Sequence, residues 1–481
     1  MSLRTSFMLS FLEKYSSLVI TFISSIVIAR LLSPEEIGIY SVTVAFTTLA
    51  HMLRDFGVGD YLIKEKNLTK NKVGTVLGVA MIFAWSVGGI LILISGYIAE
   101  FYNEPGIKNV LHILSISFFI IPFSSPILPL LRRKMAYDKL LRINLSSNFV
   151  HAIVAMSLAY LGFSYMSLAW SSLAAVLTTF LLAQIYRPIE AKVLPCLSEY
   201  KEILTFGSTV SVGMLVTELG RNSTELIIGK VMDFTSVGLY GRAQGLAKMV
   251  QGPFFSAIQP VFQSDFAEKI RKGESIYGIY LKGIDYTTVI AWPFFGFVGI
   301  FSEDIITILF GSQWSQSAPM ASILCMAAVI WTLSGLASKA LIAGGHAIII
   351  LKIQSIVQGS RLVLTVIGSF YSLQHIAFMF CLVMVISFFI HSYYLKTIFD
   401  ITKKDILKKI MKSAFVSITC YAVSVILLII FNDYESSILL ILLFLCFFVL
   451  TWITSIFVFD HAIKNEITST AEKIINSFRK Q

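Results

Sequence analysis

The chain has 481 residues, of which 56% are hydrophobic and only 14% are charged. A soluble domain carries about 25% charged residues, so most of the surface of this chain is not built to face water. The net charge of +10 could indicate nucleic-acid binding in a soluble protein, but membrane proteins collect Lys and Arg in cytoplasmic loops, and we predict no nucleic-acid partner. The five cysteines are scattered, so neither a disulfide framework nor a metal site is predicted.

Long apolar stretches recur along the whole chain. Each covers about twenty residues, enough for a helix to cross a hydrocarbon core roughly 30 Å thick. Runs such as residues 438–448 (ILLILLFLCFF) do not alternate between apolar and polar, which favours helices over barrel strands. We predict an all-α integral membrane protein of about fourteen transmembrane helices. The predicted spans lie at about residues 10–31, 37–57, 75–98, 108–130, 141–162, 165–186, 204–227, 236–258, 283–302, 319–342, 348–370, 375–395, 412–431 and 437–459.

The orientation follows from where the short loops carry Lys and Arg, because such residues concentrate on the cytoplasmic side. The basic loops follow the second, fourth, eighth and twelfth predicted spans, and the alternate loops are mostly acidic. This pattern predicts an even number of spans with both termini in the cytoplasm. The four loops contain Lys64, Lys66, Lys70 and Lys72; Arg132, Arg133, Lys134 and Lys139; Lys269, Arg271, Lys272 and Lys282; and Lys396, Lys403, Lys404, Lys408 and Lys409.

Two segments on the predicted cytoplasmic side have the pattern of amphipathic helices. Residues 401–413 place Ile406, Leu407, Ile410 and Met411 on one helical face with lysines around the other. The C-terminal tail repeats the pattern with Ile467, Ala471, Ile474, Ile475 and Phe478. Basic amphipathic helices lie on anionic membrane surfaces, whereas an ordinary solvated linker would have the same composition, and the sequence leaves both interpretations open.

An internal repeat relates the two halves of the chain. Residues 26–40 (IVIARLLSPEEIGIY) align without gaps with residues 226–240 (LIIGKVMDFTSVGLY), each at the junction of a first and a second span. The matched pairs are Ile28/Ile228, Arg30/Lys230, Gly38/Gly238 and Tyr40/Tyr240. The offset contains six predicted spans, so the repeat keeps its orientation in the membrane. We predict a six-helix lobe at 1–200, a parallel six-helix lobe at 201–400, and a C-terminal part at 401–481 with an interfacial helix, two spans and an amphipathic tail.

Ionisable residues inside spans are costly and usually face a cavity or a partner. The seventh predicted span carries Glu218, Arg221 and Glu225 at spacings of three and four, so Arg221 can neutralise either acid. The eighth has a positive polar side formed by Arg242, Gln244, Lys248 and Gln251. The other charged candidates are Glu13, Arg54, Asp55 and Arg361.

The surplus of cations suits an anionic substrate such as a diphosphate. We predict that substrate contacts Arg54, Arg221, Arg242, Gln244, Lys248, Gln251 and Arg361. The acids Glu13, Asp55, Glu218 and Glu225 would bind a coupling proton or sodium ion, or form salt bridges. The alternative is that the deep charges only pair with one another between helices, and that Arg54 extends to the membrane surface. No cofactor is predicted beyond the coupling ion.

Three stretches resemble a known family. Residues 28–65 (IARLLSPEEIGIYSVTVAFTTLAHMLRDFGVGDYLIKE) look like the N-terminal signature of polysaccharide flippases. Residues 204–268 resemble the segment that opens the second lobe of those proteins, and LFGSQWSQSAP (Leu309 to Pro319) is similar to the segment before their tenth span. The chain thus resembles the Wzx-type polysaccharide transporters, of the O-antigen and colanic-acid kind, in the multidrug/oligosaccharidyl-lipid/polysaccharide (MOP) superfamily.

The resemblance implies a flippase of the bacterial inner membrane. Its substrate would be an undecaprenyl-diphosphate-linked oligosaccharide, moved from the cytoplasmic to the periplasmic leaflet by alternating access. Its other partners would be membrane lipids and the polysaccharide polymerase machinery. Alternatives in the same superfamily are a lipid II flippase and a cation-coupled multidrug exporter. The sequence lacks nucleotide-binding and hydrolase motifs and any long loop for a catalytic domain, which favours a transporter over an enzyme.

Overall fold

The computed structural model describes residues 3–55, 58–431 and 437–478, and within these ranges all regular secondary structure is helical. Eleven helical stretches in this part of the chain are long and apolar enough to cross a membrane. The predicted all-α membrane fold is therefore confirmed. Three further predicted spans lie in helices of 24, 32 and 38 residues that contain more polar residues, so the count of fourteen remains a prediction.

Internal contacts divide the chain into two compact units, Met1–Gly238 and Leu239–Gln481. The predicted lobe boundaries at residues 200 and 400 remain predictions. The helices that begin in the first unit are α1 (Leu3–Leu31), α2 (Pro34–Asp55), α3 (Val58–Lys64), α4 (Lys70–Tyr102), α5 (Pro105–Ile120), α6 (Ile127–Arg133), α7 (Tyr137–Tyr160), α8 (Met166–Ile185), α9 (Tyr200–Val231) and α10 (Phe234–Arg271), of which α10 contains the boundary.

The repeated junction has the same local structure twice. Ser33 precedes α2, and its hydroxyl accepts a hydrogen bond from the backbone N–H of Glu36 at 3.3 Å, while the Glu36 carboxylate accepts from the backbone N–H of Ser33 at 2.7 Å. Two hundred positions later, the Asp233 carboxylate before α10 accepts from the backbone N–H of Ser236 at 2.6 Å. Both side chains satisfy N–H groups that a helix start leaves without a partner. The sequence repeat thus corresponds to a repeat of helix-capping chemistry.

The two junctions also contact each other within the first unit. A methyl group on Gly38 would lie 1.8 Å from the backbone oxygen of Phe234, and one on Gly238 would lie 2.0 Å from the backbone oxygen of Pro34. Pro34 and Phe234 are themselves related by the offset of 200, so the contact is reciprocal. Reciprocal contact between equivalent residues is the signature of a two-fold relation. The first turns of α2 and α10 therefore cross about a local pseudo-two-fold axis.

Ten further helices lie in the described part of the second unit. They are α11 (Tyr277–Ile300), α12 (Ser302–Phe310), α13 (Ala318–Gly335), α14 (Ala337–Ala343), α15 (Ala347–Ser369), α16 (Leu373–Phe399), α17 (Lys403–Lys409), α18 (Met411–Ile430), α19 (Ile438–Val458) and α20 (Ile463–Phe478). The central helix of this unit is α11, which packs against both α13 and α18.

The last two apolar helices, α18 and α19, are tied to α11 at a proline. Pro293 lies inside α11 and has no N–H, so it cannot bond the carbonyl of Val289 one turn earlier. The indole N–H of Trp452 in α19 donates to that carbonyl at 2.8 Å. The hydroxyl of Tyr421 in α18 donates to the carbonyl of Trp292 at 2.6 Å. The carbonyl that the proline leaves without its helical donor thus accepts one of the two hydrogen bonds that fasten the C-terminal pair of helices to the rest of the unit.

The predicted interfacial segment at 401–413 forms α17 and the start of α18. Its apolar residues divide between two environments. Ile406 and Ile410 are buried in the core of the second unit, whereas Leu407 and Met411 are about half exposed. The segment is therefore packed on the protein along one edge. The tail forms α20, but the side chains of Ala471, Ile474, Ile475 and Phe478 lie outside the described residues, so its amphipathic face remains a prediction.

Candidate functional site

The predicted charge cluster of α9 is present. The Arg221 guanidinium lies 3.1 Å from the Glu218 carboxylate, and Asn222 donates its side-chain amide to the backbone carbonyl of Glu218 at 2.9 Å. The Arg221 side chain is 56% exposed and that of Glu218 is 18% exposed. The pair therefore has an accessible cation held by a more buried acid. Glu225 lies one turn further along the same helix and is partly buried.

Two other candidates in the first unit contact different helices. The Glu13 carboxylate of α1 accepts a hydrogen bond from the side-chain amide of Asn144 in α7. The Arg54 guanidinium at the end of α2 lies 5.9 Å from the ring centroid of Phe118 in α5, on which the ring of His51 stacks at 4.4 Å. Glu13 thus joins two packed helices, and Arg54 lies beside an aromatic pair. The side chain of Asp55 lies outside the described residues.

Arg242 of α10 is enclosed by aromatic rings of the second unit. Its guanidinium carbon lies 4.4 Å from the ring centroid of Phe310 and 4.6 Å from that of Trp314. Phe310 and Trp314 are themselves fully buried. Contacts of this kind contribute up to about 2 kcal/mol when the cation is desolvated. Both rings belong to the sequence stretch Leu309 to Pro319, so Arg242 fixes that segment beside α10.

Lys248 and Gln244 lie one helical turn apart in α10. The Lys248 ammonium donates to the side-chain oxygen of Gln244 at 2.5 Å. Gln244 is 7% exposed, whereas Lys248 is exposed and Gln251 is partly buried. A buried amide that orients an exposed ammonium leaves that cation accessible to an anionic ligand.

Arg361 lies in another part of the second unit. It is 7% exposed, and its guanidinium carbon is 5.0 Å from the ring centroid of Phe380. This contact joins α15 to α16. The structure thus pairs Glu218 with Arg221, as the helical spacing predicts, and it also brings Gln244 and Lys248 together. Arg54, Arg242 and Arg361 each lie beside aromatic rings instead. Spacings of three and four predict contacts along one helix, but not the rings that a distant part of the chain supplies.

The sequence analysis missed one buried polar cluster. Asp285 in α11 is 2% exposed, and its carboxylate lies 3.0 Å from Nε2 of the buried His461 and 3.4 Å from the ammonium of Lys409. The Ser413 hydroxyl also lies 3.0 Å from His461 Nε2. The available signal was an acid in an otherwise apolar stretch, which is rare in a transmembrane helix.

The geometry of this cluster differs from that of a Ser-His-Asp triad. The backbone N–H of Ile463 donates to Nδ1 of His461 at 3.2 Å, so Nδ1 is an acceptor and Nε2 carries the proton. Ser413 and Asp285 both contact Nε2. In a Ser-His-Asp triad the two partners use different ring nitrogens, with the acid at Nδ1. The cluster instead joins α11, α17, α18 and the turn before α20.

These features define a multi-pass α-helical membrane protein with cations in several of its long helices. The chain belongs to the family described as polysaccharide biosynthesis protein, whose model matches residues 27–319. The predicted family is therefore confirmed. The match includes the repeated junctions, both polar helices α9 and α10, and the aromatic segment that encloses Arg242.

The chain is similar to proteins of polysaccharide assembly. It is 21% identical over 313 residues to the lipopolysaccharide biosynthesis protein WzxC of Escherichia coli, with 63% of this chain and 62% of that protein covered. It is 23% identical over 334 residues to the succinoglycan biosynthesis transport protein ExoT of Rhizobium meliloti, with coverage of 67% and 65%. The chain thus spans somewhat less than two thirds of the length of these relatives.

Solved structures show the same fold. The lipid II flippase MurJ in an inward closed conformation superposes with a TM-score of 0.77 at 14% identity, covering 96% of this chain and all of that one. An inward-facing multidrug resistance transporter of the MATE family, in the MOP superfamily, gives 0.64 at 13% identity, covering 79% and 95%. The chain therefore has the same fold as these two proteins.

Proposed function

We propose that the chain is a flippase that moves undecaprenyl-diphosphate-linked oligosaccharide units from the cytoplasmic to the periplasmic leaflet by alternating access. The observation that carries the proposal is the family match over residues 27–319, with relatives named for lipopolysaccharide biosynthesis and for succinoglycan biosynthesis and transport. The fold of transporters and flippases supports it. The chain would act in the bacterial inner membrane with both termini in the cytoplasm, and it would supply a polysaccharide polymerase.

Within this proposal the cations have two roles. Lys248 and Arg221 have exposed side chains, each of which contacts a neighbour in its own helix, and we propose that they contact the diphosphate. Arg242 and Arg361 lie against aromatic rings and would act as positioning residues. The acid Glu218, which holds Arg221, would exchange that cation for a coupling proton or sodium ion during transport. No chemical bond of the substrate changes in this cycle.

Deletion of the gene is expected to cause accumulation of the lipid-linked repeat unit in the cytoplasmic leaflet and loss of the surface polymer. The wild-type gene should restore the polymer. The Lys248→Ala variant should restore roughly tenfold less surface polymer, because the loss of one charge-assisted hydrogen bond to the substrate weakens binding by about that factor. Lys269→Ala is the matched control because Lys269 lies in the same helix and pairs with Glu274 at 2.8 Å in an exposed position. It should behave as wild type. Lipid-linked sugars and surface polymer are both quantified.

The same strains separate the alternatives. A lipid II flippase would leave the surface polymer intact on deletion and stop peptidoglycan synthesis instead. A multidrug exporter would leave both polymers intact and increase drug sensitivity. Normal surface polysaccharide in the deletion strain contradicts the proposal. Full activity of both Lys248→Ala and Arg221→Ala would remove these residues from the substrate path.

A further inference from the structure

A cavity of about 500 Å³ lies in the second unit between α11, α17, α18 and the turn that joins α19 to α20. Its lining includes three lysines, Lys408, Lys409 and Lys412, together with Tyr277 and Asn465. The volume is within the range of small-molecule sites. The lysines lie where the predicted cytoplasmic linker meets the first turn of α18. The cavity is therefore at the membrane surface and not at the middle of a span.

The three acids of this cavity are already engaged by other groups. The Asp405 carboxylate accepts from the backbone N–H and the hydroxyl of Thr402 at 3.0 and 2.6 Å, as the cap of α17. The Asp460 carboxylate lies 3.0 Å from the ammonium of Lys464. Asp285 is held by His461 and by Lys409. Hydrogen bonds from Thr402 lower the pKa of Asp405, and Lys464 lowers the pKa of Asp460, so both stay ionised and bound to their partners at neutral pH.

The other two lysines are held less closely, although the charge of Lys408 helps to lower the pKa of Asp405 and that of Lys412 helps to lower the pKa of Asp460. In the part of the chain that the structure describes, no ion pair involves Lys408 or Lys412; the Lys412 ammonium donates to the backbone carbonyl of Asp460 at 2.7 Å. Residues 401–413 contain five lysines and one acid. Clusters of basic residues beside a transmembrane helix attract anionic lipid, and basic pockets between such helices bind phosphate head groups. The chemistry of the cavity thus favours a phosphate ester.

The surroundings distinguish a lipid from a free phosphate. Met411, Phe415 and Ile418 follow one another at spacings of four and three along α18 and are 53%, 48% and 58% exposed. The Phe415 ring stacks on that of Phe459 with 5.8 Å between the centroids, next to Asp460 of the cavity wall. An exposed apolar face therefore begins beside the lysines and continues along the span. A phospholipid needs this combination, with a polar recess for the head group and an apolar track for its chains.

We propose that this cavity binds the head group of an anionic phospholipid, with Lys408 and Lys412 contacting its phosphate and the acyl chains lying along the exposed face of α18. Lys409 stays with Asp285 at the base of the cavity. The lipid would bridge the linker helix α17, the start of α18 and the turn before α20.

The test measures phosphatidylglycerol retained by the purified full-length protein in detergent, by native mass spectrometry over a lipid titration. Lys408→Gln with Lys412→Gln is expected to weaken retention roughly thirtyfold, since each lysine near an anionic lipid surface contributes a similar increment. Lys403→Gln with Lys404→Gln is the matched control, because it removes the same charge from the same segment, residues 401–413, at positions outside the cavity lining. The control should retain phosphatidylglycerol within about twofold of wild type.

Three outcomes would overturn the proposal. Equal weakening in the two double variants would mean diffuse attraction by the whole lysine cluster. Equal retention of zwitterionic phosphatidylcholine would remove the role of charge. Full displacement of phosphatidylglycerol by inorganic phosphate at the same concentration would assign the cavity to a free anion. Should the double variant unfold, Lys408→Gln and Lys412→Gln are measured singly, each with an expected weakening of roughly fivefold.

Discussion

Replacing Gly38 by Ala is expected to lower the free energy of unfolding by about 1–3 kcal/mol, and replacing Gly238 by Ala should do the same. The added methyl group would lie 1.8 Å from the Phe234 oxygen in the first case and 2.0 Å from the Pro34 oxygen in the second. Both obstacles are backbone atoms, so no side-chain rotation relieves the overlap and the first turns of α2 and α10 must separate. Titration of the purified variants with a denaturing detergent measures the loss.

Gly96→Ala and Gly245→Ala are the controls. Both glycines lie inside helices, Gly96 in α4 and Gly245 in α10, and apart from the adjacent backbone of the same helix no described atom lies within 4 Å of an added methyl group. Alanine has the higher helix propensity, so these variants should be as stable as wild type or more stable by up to about 1 kcal/mol. A Gly38→Ala variant as stable as Gly96→Ala would show that the crossing tolerates separation.

The double variant Gly38→Ala with Gly238→Ala tests whether the two contacts are one structural feature. Neighbouring substitutions that strain the same packing do not add, because relaxation around the first relieves part of the second. The loss in the double variant should therefore be smaller than the sum of the two single losses. Simple additivity would mean that the two glycines act independently, in spite of their symmetric positions.

The internal repeat shows which features of the fold could be predicted from the sequence and which could not. The offset of 200 predicts that residues 26–40 and 226–240 have the same structure, and the paired caps at Ser33 and Asp233 agree with it. It does not predict that the two junctions touch, because which atoms face a glycine depends on how two helices cross. The reciprocal approach of Gly38 and Gly238 to backbone oxygens is visible only in three dimensions.

The exact bounds of the helices could also not be predicted from hydropathy. Hydropathy predicts one span at 108–130, but the structure divides this stretch into α5, a short 3₁₀ segment at Ile121–Phe123, and α6. Pro122 and Pro126 explain the division, since proline removes a donor from the helix and disfavours the helical conformation of the residue before it. Averaged hydropathy is insensitive to such interruptions because the residues on both sides remain apolar.

In the candidate site, too, some contacts could be predicted from the sequence and others could not. The pair Glu218–Arg221 follows from helical spacing and was predictable. The enclosure of Arg242 by Phe310 and Trp314 was not, because the rings are supplied from about 70 positions further along the chain. Asp285 was detectable as an acid in an apolar stretch, but its partners His461 and Lys409 come from two later segments. Local periodicity identifies the costly charges, and tertiary structure decides how each one is compensated.

Replacing Asp285 by Ala is expected to lower the free energy of unfolding by about 3 kcal/mol. The change leaves the Nε2–H of His461 without its carboxylate acceptor at a position that is 1% exposed. The expected loss is at the lower end of the range for breaking a buried ion pair, because the Lys409 side chain is 38% exposed and can turn to water. Denaturing-detergent titration measures this loss. Limited proteolysis should also cleave the variant faster within α20, whose first turn follows His461.

Asp285→Asn separates charge from hydrogen bonding in this cluster. The amide oxygen can still accept from His461 Nε2, so only the attraction to Lys409 is lost and the expected destabilisation is about 1 kcal/mol. Glu303→Ala removes an exposed acid of the same unit and should change stability by less than about 0.5 kcal/mol. Equal losses for Asp285→Asn and Asp285→Ala would mean that the ion pair with Lys409, and not the bond to His461, holds the C-terminal helices to α11. Wild-type stability of Asp285→Ala would show that the Trp452 and Tyr421 hydrogen bonds suffice.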